Sequence, residues 1–427
     1  MLVVGGGPAG IGAAVGAARH GADTLIVERH GFFGGIASFG VGMRMNQMRP
    51  FGEPRSAVHE MIIDHLCAYG SRAALLSRHS VLPNVEYLKA SILDTLDKAG
   101  CRYLVHAQVV DATTERNRIT GVVLATKQGL AHVAARIVID CTGDADVAYF
   151  AGAETMNATA EGEALSPMTL NFDVASPEIT RALELASSGD LARAVGPARG
   201  RYPSIPESFG LSRFSSETAL SVNHGGTRAL GSLDGTRLED LTRAESFSRR
   251  QVIDIVRAMN ESGVDALSDL DIVTTGAQIG VRETRRVKGS YVLTESDAKE
   301  GARFEDAVAW RSGFLDIGFV RYERMKVHEV PYRAIVPEQV DGLLTAGRCI
   351  SATHVAASAG KSMGNCIATG HAAGVAAALS CARGLIPRDL PVGLVQDVLR
   401  NDGVDLPFSR PDQTDGDMDP GELGPLR

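Results

Sequence analysis

Four residues of apolar strand, Met1-Leu2-Val3-Val4, run into Gly5-Gly6-Gly7-Pro8-Ala9-Gly10 and then into an Ala/Gly-rich stretch that predicts a helix over 11–20. A second apolar run, Thr24-Leu25-Ile26-Val27, predicts a strand that ends on Glu28. Strand, glycine turn, helix and strand together make one βαβ unit. Helical spacing of apolar residues returns over 55–70, and again over 84–99 on Val85, Leu88, Ile92, Leu93 and Leu96. From Tyr103 the period drops to two, which predicts strands over 103–110, 119–125 and 131–139, parted by Glu115-Arg116-Asn117 and Gln128-Gly129. Three such strands form an antiparallel meander, and the last of them runs into Cys141-Thr142-Gly143-Asp144.

The texture then changes. Residues 156–325 mix strands and helices, with loops rich in Ser, Gly and Pro near 196–216. Over 340–348 an apolar strand ends at Gly347, and a small-residue helix over 360–379 carries Gly364, Ala368, Gly370, Ala372, Ala373 and Gly374. The expected organisation is a first nucleotide-domain part (1–155), an inserted substrate domain (156–325), a second part with a helical carboxy terminus (326–400) and a flexible acidic tail (401–427).

Composition narrows the class without naming a reaction. A chain of 427 residues exceeds one ordinary core, and 44% apolar with 22% charged residues is globular usage. The formal net charge of −8 argues against nucleic acid or an anionic membrane surface as partner. No apolar run is long and glycine-poor enough to span a bilayer, and the amino terminus lacks the basic stretch of a signal peptide, so a cytoplasmic protein is expected. The six cysteines are scattered without C-x-x-C spacing, so reduced thiols are the default.

Gly5, Gly7 and Gly10 give the G-x-G-x-x-G spacing: a tight turn, room for a pyrophosphate against the backbone, and close packing of helix on strand. The helix amino terminus offers N–H groups and its dipole to phosphate. Glu28, at the end of the second strand, suits the hydroxyls of an unphosphorylated adenosine ribose. The motif therefore points to a dinucleotide, and the glycine-rich turn Gly31-Phe32-Phe33-Gly34-Gly35-Ile36-Ala37-Ser38 to a flavin one, FAD. No second G-x-G-x-x-G followed by a strand and an acid is present, as a built-in NAD(P)H domain would require; Gly276-Ala277-Gln278-Ile279-Gly280 has the wrong spacing.

Taken with these pieces, 138–144 (Val-Ile-Asp-Cys-Thr-Gly-Asp), Pro331-Tyr332-Arg333 and the run Leu344-Thr345-Ala346-Gly347-Arg348-Cys349-Ile350-Ser351-Ala352-Thr353-His354 follow one pattern in one order. The chain resembles the FAD-dependent oxidoreductases of the two-domain glutathione reductase-like superfamily. The segments 240–245 and 280–286 look similar to that group as well. The resemblance implies an α/β fold: a bipartite Rossmann-type FAD-binding domain, parallel sheet plus three-stranded meander, with an inserted α+β substrate domain. The cofactor is expected along Gly5, Gly7, Pro8, Ala9, Gly10, Glu28 and Arg29, along Gly34, Gly35, Ala37 and Ser38, and beside Val109 and Val110, with Arg44 and Asn46 placed after the glycine-rich turn to reach either the flavin or the substrate. Thr142, Gly143 and Asp144 follow, then Gly347 and Arg348, then Gly360, Ser362 and Met363. Arg348 stands where many members of the superfamily carry an acid that holds the ribityl chain.

An FAD enzyme leaves electron transfer to the flavin and uses its side chains for orientation and proton removal. His354, between the late strand and the last helix, is the expected base, with His224 and His328 as weaker choices. Lys361 is expected to stabilise negative charge near the flavin. Arg282, in one stretch with Glu283, Arg285 and Arg286, serves either a substrate anion or a structural salt-bridge network. Cys349 and Cys366 lack redox-pair spacing, and His59-Glu60 with His65 lacks that of H-E-x-x-H, so no metal is expected. The expected function is a dehydrogenase or oxidase that takes hydride from a small organic substrate and passes electrons to an external acceptor: oxygen, a quinone or a partner protein. Alternatives are a monooxygenase using NAD(P)H, a tRNA-modifying flavoprotein and a non-enzymatic FAD-fold binding protein. A homo-oligomer remains open.

Overall fold

In a computed structural model, the structure describes residues 1–207, 209–213, 219–317, 321–410 and the pair 424–425. Its centre is a five-stranded parallel sheet in the order Leu343–Thr345, Val138–Asp140, Leu2–Val4, Leu25–Val27, Arg102–Leu104. Three-residue strands suffice here because the inner strands are covered on both faces and nearly every residue in them is apolar.

The two parts of the sequence meet inside this sheet, where Val138–Asp140 pairs with Leu2–Val4 on one side and Leu343–Thr345 on the other. They also meet between helices. Pro8–Arg19 and Met363–Arg383 pack so closely that a Cβ on Gly370 would lie 2.0 Å from the Ala9 carbonyl oxygen, and one on Gly374 2.2 Å from that of Ala13. Gly370 and Gly374 thus face the first helix rather than a ligand, while Gly364 faces the Gln47 carbonyl.

The meander differs from the sequence expectation in its register. The run expected over 103–110 divides into Arg102–Leu104, in the parallel sheet, and Gln108–Glu115, in the meander, with His106 at positive φ between them. The run over 131–139 divides into Gly129–Ala134 and Val138–Asp140 for the same reason: two different sheets take its two halves. Alternation of apolar residues does not say which sheet a strand joins.

A second hydrophobic core, from Met168 to Ile279, belongs to the inserted sheet Phe209–Arg213, Ala219–His224, Phe172–Ala175, Asp271–Thr275 and the long helix Leu238–Asn260. Leu293, Trp310 and Val330 have already returned to the first core. In the inserted sheet Phe172 and Val174 point into that second core while Asp173, paired in register with Ser221, points the other way, towards Gly42.

Residues 401–410, expected to begin a flexible tail, are packed. Leu406 and Phe408 are buried, the Phe408 N–H donates to Glu329 Oε1 at 2.9 Å, and both His20 Nε2 and His371 Nε2 lie 2.8 Å from Asp402 Oδ2. Residues 411–423 and 426–427 of that expected tail lie outside the described residues. No helix among the described residues is long and apolar enough to cross a membrane.

Candidate active site

The carboxyl ends of four parallel strands open onto one cavity of 660 Å³: Gly5 follows the first strand, Glu28 the second, Cys141 and Thr142 the third, Ala346 and Gly347 the last. Ligands of open α/β sheets bind at this edge, where successive connections leave the sheet in opposite directions. The opposite wall comes from the inserted sheet, through Leu211 and Asn223, from Thr169 and Asn171 just before its strand Phe172–Ala175, and from Met43, Arg44, Gln278, Arg282, Asp316 and Lys361.

On the nucleotide side the geometry fits FAD. Gly5 has φ +96°, and a Cβ on Gly10 would lie 1.8 Å from the Gly5 oxygen, so strand and helix touch only because both residues lack side chains. A Cβ on Gly7 would find no neighbour nearer than Gly35 Cα at 3.9 Å, which leaves the backbone open to a phosphate. Glu28 accepts from the N–H groups of Gly6 (2.7 Å) and His30 (2.8 Å) and keeps acceptor capacity towards the cavity.

Asp140 sets the third strand end. Fully buried, it accepts from Thr142 N (3.0 Å), Thr142 Oγ1 (2.7 Å) and Ala148 N (2.9 Å), and burial raises its pKa against these bonds. Beside it Asp144 accepts from Arg348 (2.8 Å) and Thr284 Oγ1 (2.7 Å). Burial opposes the charge on Arg348, but Asp144 overrides it and raises the pKa. Arg348 Nη1 is buried with no partner among the described residues, in the wall of the cavity. An orphan guanidinium donor next to a glycine turn and a helix amino terminus is what a diphosphate completes.

The opposite wall is built of side chains. Lys361 Nζ lies 2.9 Å from Asp316 Oδ2 and also donates to the Asp316 carbonyl; Arg282 Nη1 stands 3.6 Å from the same carboxylate. Burial first, then the neighbouring Arg282, pull the Lys361 ammonium down to about 8 against the pull of Asp316. Of the expected site residues, Gly5, Gly7, Pro8, Ala9, Glu28, Arg29, Gly35, Arg44, Val109, Thr142, Gly143, Asp144, Arg282, Gly347, Arg348, Lys361, Ser362 and Met363 all line this cavity.

The others stand behind it. Gly10 packs on Gly5, and a Cβ on Gly34 would meet the Ser38 hydroxyl, so Gly34 and Ser38 shape the turn from inside while Ala37 joins the core. Val110 is exposed, at the irregularity where pairing passes from Val109–Leu124 to Asp111–Val123. Gly360 faces the Arg311 guanidinium, and a Cβ there would lie 2.1 Å from its Cζ.

His354, expected as the base, is buried at 2% exposure outside the cavity wall, with Nδ1 2.7 Å from Glu283 Oε2 and its N–H donating to Glu161 Oε2. It ties the loop after the late strand to Glu283 and Glu161. His224 and His328 are core histidines, their pKa values pushed down by burial to about 4 and about 3. The arginine cluster splits: Arg285 binds Asp146 and the Asp144 carbonyl, Arg286 binds Glu161, and Arg282 alone reaches the cavity.

Sequence reasoning passed over Asp316, Thr169, Asn171 and Gln278 as site residues, since none lies in a local motif; Asp140 was visible only as part of the 138–144 pattern. Cys349 and Cys366 are both free thiols, and of the two Cys366 reaches the cavity. His59 bonds Ser56 and the Gly364 carbonyl while His65 bonds Thr95, so those two rings do not converge. Among the described residues, one group of three potential metal ligands does come together, His20, His371 and Asp402, away from the cavity and closed by its own hydrogen bonds.

The family described as "FAD dependent oxidoreductase" matches residues 1–399. A thiamine thiazole synthase of Methanococcus vannielii is 34% identical over 164 residues, 34% of this chain and 57% of that protein, so the chain spans little over half of that curated relative. Among solved structures, a geranylgeranyl bacteriochlorophyll reductase-like protein of Thermoplasma acidophilum superposes with TM-score 0.50 at 13% identity, covering 96% of this chain and 84% of that one; the likeness is one of fold. A p-nitrophenol 4-monooxygenase of Pseudomonas putida gives TM-score 0.48 at 11% identity over 96% of this chain and 86% of that one.

Proposed function

This chain belongs to the FAD-dependent oxidoreductase family, and from that premise we propose that it is a dehydrogenase or oxidase of a small organic molecule, with Lys361 as its base. FAD, when bound, accepts a hydride from a substrate C–H bond and yields the electrons to an acceptor outside the chain, oxygen, a quinone or a partner protein. The first helix terminus and Arg348 would hold the diphosphate, and Glu28 the ribose.

The observation that carries the reading is Lys361 in the cavity wall with a pKa drawn down to about 8. In its neutral form Nζ can take the proton from the substrate O–H or N–H as the adjoining C–H bond breaks, so that the substrate loses one hydride and one proton in all. Asp316 orients the amine, and the inserted sheet closes the site from the other side. Anaerobic stopped-flow reduction of the yellow holoenzyme tests this. The flavin absorbance should fall with an organic substrate alone; rapid bleaching by NADPH without one would replace this reading with a monooxygenase.

A further inference from the structure

Arg44 lines the cavity half-buried, yet its guanidinium has no hydrogen bond or ion pair among the described residues. Burial draws its pKa down, but an arginine remains charged at neutral pH, and a desolvated cation without a partner is costly. Two neutral acceptors in the same wall are equally unmet: Asn46 Oδ1 and Thr169 Oγ1 are buried without partners, and Thr169 is only 9% exposed. Native proteins leave few such groups, and groups of this kind gathered around one cavity describe what it is built to hold.

We propose that the inserted-sheet side of the cavity takes a substrate that carries a carboxylate, paired with Arg44, and a hydroxyl or amino group that donates to Asn46 or Thr169. The inference rests on the reading of this cavity as the flavin and substrate site. The FAD diphosphate is the rival anion for Arg44, but position favours the substrate. Met43, next in sequence, takes a contact at 3.2 Å from Nδ2 of Asn171, which leads into the inserted-sheet strand Phe172–Ala175, and Gln47 packs on Gly364, beside Lys361. The diphosphate has the first helix terminus and the orphan Nη1 of Arg348 instead. The planar fork of arginine matches a carboxylate bidentately. A carboxylate on Arg44 would put the adjoining carbon in the same chamber as Lys361.

The test is binding of butyrate and 2-hydroxybutyrate, each against its neutral amide, to the FAD-loaded protein, followed by perturbation of the visible flavin spectrum. The acids should bind at least tenfold more tightly than the amides, 2-hydroxybutyrate better than butyrate. Arg44→Met should erase the preference for acid while the protein retains its flavin. Equal binding of acid and amide, no binding of either acid, or loss of flavin from Arg44→Met with the preference for acid intact would each overturn the proposal. Failure of the dehydrogenase reading looks different: the acid preference would stand, and no organic substrate would reduce the flavin.

Discussion

On one side of the cavity the lining is mostly backbone, presented by Gly5, Gly7, Thr142 and Gly347 at the ends of parallel strands; on the side that faces the inserted sheet it is long side chains, Arg44, Arg282 and Lys361, drawn from three distant stretches of sequence. The first wall is therefore coupled to the fold, since the contacts that make room for a diphosphate are those that seat helix on strand. The second can change its chemistry while the fold stays as it is. Within one family, such a division lets a constant cofactor serve different substrates.

Substitutions can break the comparison, beginning with the glycines. Gly10→Val places new atoms on the Gly5 carbonyl and should cost about 3 kcal/mol in denaturant unfolding, with colourless protein. Gly7→Ala, whose Cβ meets nothing closer than 3.9 Å, should unfold at the wild-type denaturant midpoint when both are stripped of flavin, yet bind FAD poorly. If both variants lost stability equally, the separation of fold from ligand space on this wall would be refuted.

On the other wall, Lys361→Met should lower kcat by about 10²–10⁴ with the fold intact. The pH profile fixes the sign. With the neutral amine as the proposed base, wild-type kcat should rise as pH increases towards about 8 and level off above it, and the variant should lack that limb. A limb that survives in Lys361→Met would remove the residue from proton transfer.

Arg348→Met is a smaller change on the nucleotide side. Loss of one charged hydrogen-bonding group, about 1.5–3 kcal/mol, should weaken FAD retention roughly 10- to 100-fold in equilibrium dialysis, with the kcat of the fully loaded enzyme little altered. Smaller still in its effect on catalysis is His354→Ala, which parts a buried pair and should lower stability by about 1–3 kcal/mol while the pH limb stays in place. Disappearance of that limb would return His354 to the role of base.

Legibility followed the same division. Gly5, Gly7, Gly10 and Glu28 could be read directly, because a turn, a helix start and a strand end are local and only glycine or an acid meets each requirement. Arg282, Arg285 and Arg286 could not be told apart, since the one that faces a ligand is selected by where Asp146 and Glu161 lie, far away in sequence. His354 looked catalytic by its neighbours along the chain; Glu283 and Glu161, arriving from the inserted domain, took up its ring and its N–H.

By itself the sequence determined the βαβ unit, its glycine turn and the acid that ends its second strand. Those features depend on steric rules that act over a few residues. Tertiary structure decided which strands left the meander for the parallel sheet, which helix the late glycines touch, and which cations face a substrate. Burial and charge pairing are set by groups distant in the chain. The Lys361 ammonium is drawn down to about 8 only because folding has buried it and set Arg282 beside it.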